Sequence, residues 1–330
     1  MAIHIRRREF IVTLGGAAAW PLAVGAQQSA MPTVGFIRDG TADASARYLT
    51  AFRKGLSEVG LVEGQNMTVE YHWLEGHHDR LPALIADLVR RQVAVMATLG
   101  NVPTLAAKAA TTTIPIVFGV GDDPVRLGIV ESFARPGGNA TGINFLNQEV
   151  VSKRLRLLHE LVPTAVRVAV LANPANASAT ETALRIVQEA TPTIGLQIQI
   201  LNATTIGEID AAFATIERER PDALFVNGDA FFISRAVQFA TLTARSRIPA
   251  SYSLRDYVAV GGLMSYGTDF TEAFRQVGVY TGKILKGAKP ADLPVTQSTK
   301  FELVINLQTA RSLGIELPPG VLSIADEVIE

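Results

Sequence analysis

Apolar residues recur along this chain in two alternating periods. Short runs rich in β-branched and aromatic residues, such as Thr33-Val-Gly-Phe-Ile37, fit buried strands. Between them lie stretches with apolar positions three and four apart. Over 44–60 these are Leu49, Phe52, Leu56 and Val59, which predicts a helix ending at Gly60. The same pattern predicts strands at 67–73, 93–98 and 115–118, and helices at 80–91 and 103–110. The helix at 80–91 carries Leu81, Leu84, Ile85, Leu88 and Val89 on one face.

The order then repeats. Strands are expected at 166–171, 196–201, 223–226 and 249–252, with helices at 179–190, 206–218 and 230–245, after a helix at 148–161. Strand starts at 33, 67, 93 and 115 recur at 166, 196, 223 and 249, an offset of about 130 residues. The repeat lies in element order and not in residue identity. Alternating strands and helices predict an α/β protein with parallel sheets covered on both faces. Right-handed crossovers limit each half to a doubly wound, Rossmann-like lobe. A tail follows, with a strand at 262–266, a helix at 270–285, a strand at 300–306 and a short helix at 307–313. It is too small for a third domain, so it should extend both sheets, crossing between lobes more than once. The segment Gly287-Ala-Lys-Pro-Ala-Asp-Leu-Pro294 reads as a late connection.

Composition adds a compartment. The chain starts with Arg6, Arg7 and Arg8, runs through a short apolar stretch and leaves it at Val24-Gly25-Ala26. That three-part pattern predicts a secretory signal peptide over 1–26, cleaved near Ala26. Arg7-Arg8-Glu9-Phe10-Ile11 is similar to a twin-arginine export signal. The apolar run contains Pro21 and several glycines, and is shorter than the roughly 20 residues of a membrane span. Removing Arg6, Arg7, Arg8 and Glu9 with the signal takes the net charge from −1 to −3. A nearly neutral chain has no electrostatic footprint for nucleic acid. The sequence contains no cysteine, which excludes disulfides, thiolate metal sites, thiol catalysis and a lipid-modified cysteine anchor.

Ligands of open α/β sheets bind at the carboxyl ends of strands. The loops there are 38–45, 99–102 and 119–124 in the first half, and 172–178, 227–229 and 253–256 in the second. Each is rich in Gly, Asn, Asp, Ser or Pro, so helix capping explains any single one as well. As a set they suggest a cleft for a small zwitterion. Gly100 and Asn101 open a helix whose N–H groups suit a carboxylate. Asp122, Asp123, Asp229 and Asp256 supply acidic groups, with Asp229 the expected ammonium partner. Ser45, Asn173 and Asn176 lie on neighbouring loops. Tyr48, Phe231 and Tyr252 could form apolar walls, and only one of Phe231 and Phe232 can face a cleft. No nucleophile elbow, phosphate loop or dinucleotide fingerprint is present. His72, His77 and His78 match no helical metal-ligand spacing, and read as a solvated loop.

Longer phrases carry a family likeness. They include Leu61-Val-Glu-Gly-Gln-Asn66, Asp79-Arg-Leu-Pro-Ala83, Lys108-Ala-Ala-Thr111 and Ile114-Pro-Ile-Val-Phe118. Others are Arg135-Pro-Gly-Gly-Asn139-Ala-Thr-Gly142, Gly261-Gly-Leu-Met-Ser-Tyr-Gly267, Ile284-Leu-Lys-Gly-Ala-Lys-Pro290, Phe301-Glu-Leu-Val-Ile-Asn306 and Ala325-Asp-Glu-Val-Ile-Glu330. In these the whole chain resembles bacterial periplasmic substrate-binding proteins of ABC transporters, of the type that takes tryptophan, tyrosine and aliphatic amino acids. The resemblance implies a type I periplasmic-binding fold with three hinge crossings. It implies a first lobe of 31–143 plus about 262–298, and a second of 144–261 plus about 299–330. It also implies ligand loops around Ser45, Gly100-Asn101, Asp122-Asp123, Asn173, Asp229 and Tyr252. The implied protein is a monomer of the periplasm that closes on an amino-acid-like ligand and delivers it to an inner-membrane permease, with no cofactor, metal, nucleic acid or catalysis. The loop from Gly40 to Ala46 has no aromatic before Tyr48, which leaves a smaller or more polar ligand open. A sensory module or a two-lobed transferase would use the same cleft.

Overall fold

A computed structural model describes residues 31–330; the expected export signal lies outside them. The first half runs β1 (Thr33–Arg38), α1 (Ala42–Glu58), β2 (Thr68–Trp73), α2 (Leu81–Arg90), β3 (Val95–Leu99), α3 (Asn101–Ala110), β4 (Ile116–Val120) and β5 (Ala140–Asn144). The second runs α4 (Val151–Leu161), β6 (Arg167–Ala172), α5 (Ala177–Ile194), β7 (Gln197–Asn202), α6 (Ile206–Glu219), β8 (Ala223–Val226), α7 (Ala230–Ile233), α8 (Ala236–Ser246), β9 (Ala250–Tyr252), α9 (Arg255–Ala259) and β10 (Met264–Thr268). The tail comprises α10 (Phe270–Leu285), β11 (Thr296–Gln297), β12 (Phe301–Asn306), α11 (Leu307–Leu313), α12 (Pro319–Ser323) and β13 (Glu327–Ile329).

These strands form two sheets, ordered β11-β5-β4-β3-β1-β2 and β13-β12-β10-β9-β8-β6-β7. Every pairing is parallel except β10 with β12. Within each half the first five strands follow the order 2-1-3-4-5, the flavodoxin-like winding. The repeat read from strand spacing is therefore a repeat of topology. Three crossings join the lobes: β5 to α4, β10 to α10, and β11 to β12. At the first two, Thr268 Oγ1 donates a hydrogen bond to the Phe145 carbonyl.

Three local differences have physical reasons. No strand is expected at 140–144 because Ala-Thr-Gly-Ile-Asn is short and mixed. Gly142 lets it lie hard against β4, since a Cβ there would sit 2.0 Å from the Phe118 carbonyl oxygen. The single helix expected over 230–245 is broken at Ser234 and Arg235, because Asp229 caps a four-residue turn. Residues 264–268 belong to the second sheet, so the chain returns to the first lobe at Asp269 and not at about 262.

Helix ends follow local chemistry. Thr41 and Asp269 accept hydrogen bonds from the first turns of α1 and α10, as N-caps do. Gly195 and Gly314 take left-handed conformations after α5 and α11, where a Cβ would be strained. The helix α10 packs along α1 with unusually close backbones. A Cβ on Gly278 would lie 2.1 Å from the Phe52 carbonyl oxygen, and one on Gly55 would lie 1.9 Å from that of Arg275. Gly278→Ala must force the helices apart and is expected to cost about 2–3 kcal/mol, read as a lower urea midpoint at unchanged slope.

Candidate functional site

In each lobe the winding reverses beside its first strand, between β1 and β3 and between β6 and β8. The loops at these two switch points face one another across a cavity of about 60 Å³. Arg38 at the end of β1 and Leu99, Gly100 and Asn101 after β3 line one side. Asn176 before α5 and Gly228 and Asp229 after β8 line the other. Asp122 and Gln148 stand at the rim between them, and Phe145, Ile233, Phe270 and Phe274 supply apolar surface.

Two buried carboxylates organise the polar part. Asp122 accepts from Asn101 Nδ2 at 2.8 Å, Gln148 Nε2 at 2.7 Å and Ser178 Oγ at 2.6 Å. Ser178 belongs to the second lobe, so this last bond spans the cleft. Asp229 accepts from Asn173 Nδ2 at 2.9 Å, Asn176 Nδ2 at 3.1 Å and the N–H groups of Phe231 and Phe232 at 3.0 and 3.3 Å. A carboxylate offers about four acceptor positions. Oδ1 of Asp229 takes three of these bonds, as a buried cap of α7, and Oδ2 takes one, which leaves Oδ2 one acceptor position for the ammonium expected there. Burial first, and then the charge of Asp39, push its carboxyl pKa up. Donating to these carboxylates fixes three amides with their oxygens turned away. Asn101 Oδ1, Gln148 Oε1 and Asn176 Oδ1 are buried with no hydrogen-bond partner among the described residues.

The opposite charge comes from Arg38, which is only 3% exposed. Its Nη1 donates to Ser45 Oγ at 2.8 Å, and its guanidinium lies 5.0 Å from the ring centres of both Tyr48 and Phe274. It forms no ion pair among the described residues. Burial pulls its pKa down, against the pull of Tyr48 and Asp256. The helix α3 begins nearby at Gly100, whose φ of +117° suits glycine, and no side chain caps it.

The structure therefore brings Gly100, Asn101, Asp122, Asn176 and Asp229 together at the cavity. Ser45 and Asn173 sit one contact behind, holding Arg38 and Asp229. Tyr48 is fully buried beneath Arg38. Asp123 points away and accepts from the N–H groups of Val125 and Arg126, ordering the turn after β4. Phe231 packs on Phe232 and its ring lies against Gly76 of the first lobe, whereas Tyr252 stacks on Tyr257 with centroids 4.4 Å apart in the second-lobe core. Sequence reasoning missed Arg38, Phe145, Gln148, Phe270 and Phe274. Only Arg38 gave a signal, as a charge directly ending the apolar run Val34 to Ile37.

His78 is no solvated loop residue. Its Nε2 lies 2.7 Å from Asp39 Oδ2, and Asp39 also accepts from the N–H groups of Gly40 and Gly76. The bond to Asp39 raises the imidazole pKa against the effect of burial. Its folded pKa lies above the ordinary 6.5, so the stabilisation is complete below about pH 6.5 and is lost as pH rises through the raised value. His78→Gln should remove this slope from thermal unfolding measured across that window.

Residues 40–329 match the family described as ABC transporter substrate binding protein. The tyrosine-binding protein of Clostridioides difficile (strain R20291) is 23% identical over 266 residues, covering 80% of this chain and 76% of that protein. Among solved structures, a conserved domain protein from Vibrio cholerae superposes with a TM-score of 0.82 at 25% identity, over 91% of this chain and 100% of that one. An ABC domain from Streptococcus pneumoniae, in complex with L-Trp, gives 0.79 at 24% identity over the same shares.

Proposed function

Because this chain belongs to the substrate-binding proteins of ABC transporters, a non-catalytic family of two-lobed, type I periplasmic-binding architecture, we propose that its cargo is an aromatic amino acid held between the lobes. One observation carries this reading. A desolvated Arg38, without a carboxylate partner among the described residues, shares the cavity lining with Asp122 and with Asn101, Gln148 and Asn176, whose side-chain carbonyl oxygens are partnerless. Those are complementary ends for a zwitterion. The carboxylate pairs with Arg38 and the N-terminus of α3. The ammonium, with three donors, lies by Asp122, which keeps one free acceptor position, and by the oxygens of Asn101, Gln148 and Asn176. Leu99, Phe145, Phe270, Phe274 and Ile233 form the slot for the side chain. The tyrosine and L-Trp named for the relatives call for an apolar slot of this kind, and the lobes must part to widen the cavity of about 60 Å³ around such a side chain.

Closure by population shift follows, since a ligand touching both lobes binds the closed arrangement better than the open one. The pattern of residues 1–26 supports export to the periplasm, where the monomer would hand its cargo to a permease. Among the described residues, no helix is long and apolar enough to cross a membrane.

A thermal-shift screen of the amino acids, followed by calorimetry, tests the ligand. L-Tryptophan or L-tyrosine at a hundred times its Kd should stabilise the protein by about 2.7 kcal/mol. Stabilisation by lysine or glutamate instead, with none by aromatics, would remove the apolar slot from the assignment.

A further inference from the structure

Behind the cavity wall, a second contact joins the lobes without touching the cavity. Asp256, at the start of α9 in the second lobe, accepts a hydrogen bond from Tyr48 Oη of α1 in the first. Arg47 Nη2 lies 3.4 Å from the same carboxylate oxygen and donates to Tyr48 Oη at 3.0 Å. Arg255, adjacent on α9, is anchored to Glu327 of β13, with Nε to Oε2 at 2.6 Å. None of Arg47, Tyr48 and Asp256 lines the cavity. Yet the Tyr48 ring is the floor on which Arg38 rests, and it also packs against Phe274 and Phe270, at 5.0 and 5.9 Å between centroids. All three of those neighbours line the cavity.

We propose that Asp256 is a positioning residue for ligand binding: closing the lobes seats its carboxylate on Tyr48 Oη, which fixes the ring under Arg38 and Phe274 and holds the lobes shut. The clasp lies on the opposite lobe from the residues it orders, so it forms only when the lobes meet. It contributes to affinity in two ways, by raising the closed population and by presetting Arg38 for an anionic group. This rests on the reading of Arg38 given above for its second part only; the first part is independent of any ligand.

The test exploits the absence of cysteine. Two introduced thiols, Lys54→Cys on the first lobe and Val237→Cys on the second, accept spin labels without competing sites. Distance distributions are measured on ligand-free protein carrying no further change, Tyr48→Phe, Asp256→Asn, or both. Tyr48→Phe removes the hydroxyl and keeps the ring. The clasp predicts a severalfold fall in the closed fraction for each variant. It predicts a fivefold to tenfold weaker Kd for L-tryptophan, carried by faster dissociation, with the double variant no worse than the worse single one. An unchanged closed fraction in both single variants, or strictly additive losses in the double one, would overturn it. If the closed fraction falls while neither L-tryptophan nor L-tyrosine binds the unaltered protein, the clasp stands and the aromatic ligand falls. Asp256, whose side chain at the helix start is 22% exposed, supplies the decisive variant if Tyr48→Phe proves poorly folded.

Discussion

Arg38→Met is expected to weaken binding of L-tryptophan by a hundredfold or more while leaving the protein folded. The guanidinium is buried, stacked between two rings and held by one hydroxyl, so it meets a ligand carboxylate already stripped of water. Removing one partner of such a pair strands the other charge, a loss of about 2–5 kcal/mol in complexes where it has been isolated. Stability should move the other way. An unpaired buried cation is a cost to the ligand-free fold, and methionine keeps most of the volume beside Tyr48 and Phe274. Calorimetry and urea unfolding on the same sample read the two effects separately. Retained affinity would place the carboxylate elsewhere, with the N-terminus of α3 as the remaining anion site.

The second large effect falls on stability. Asp229→Ala removes the acceptor for two amides and two backbone N–H groups, all buried except the half-buried Asn176. Loss of the cap alone costs about 1 kcal/mol, and each stranded donor adds to it. The total should reach about 2–4 kcal/mol, reduced somewhat because the ionised carboxyl is itself penalised by burial. As the expected ammonium partner Asp229 would serve binding; the bonds it accepts from its own lobe give it a part in the fold as well, and the urea midpoint measures that part. An unchanged midpoint would mean that Asn173 and Asn176 find other partners when the carboxylate is gone.

The contrast between Asp122 and Asp229 shows where sequence reasoning runs out. Both stand after parallel strands, Asp122 after the fourth of the first half and Asp229 after the third of the second, and the pattern of strands locates them. How each is occupied depends on distant residues: Asp229 takes bonds from Asn173 and Asn176, more than fifty positions away, and Asp122 takes one from Ser178 across the cleft. Arg38 was hidden by parity: at the end of β1 a charged side chain reads as the first loop residue, whereas it turns back under Ser45 and α10. Phe145, Phe270 and Phe274 lie on crossing segments. Their place in the cavity follows from the chain's return to the first lobe, which no local period encodes. Tyr252 reads as a cleft residue because it is aromatic at a strand end, but stacking on Tyr257 buries it in the core, whereas Phe231 lies against Gly76 of the first lobe.

The close glycine contact between α1 and α10 also orders events during synthesis. Each sheet takes five strands from one unbroken stretch of chain and completes itself from the tail, the first with β11 and the second with β12 and β13. In the first lobe the helix α10 and the strand β11 arrive more than two hundred residues after α1. The segment made first must therefore wait, its partner helix absent, while the later half acquires its strands. Such distant pairings slow folding. An N-terminal lobe that cannot finish before the ribosome nears the end of the message is one that a translocation channel could still receive as an unfolded thread.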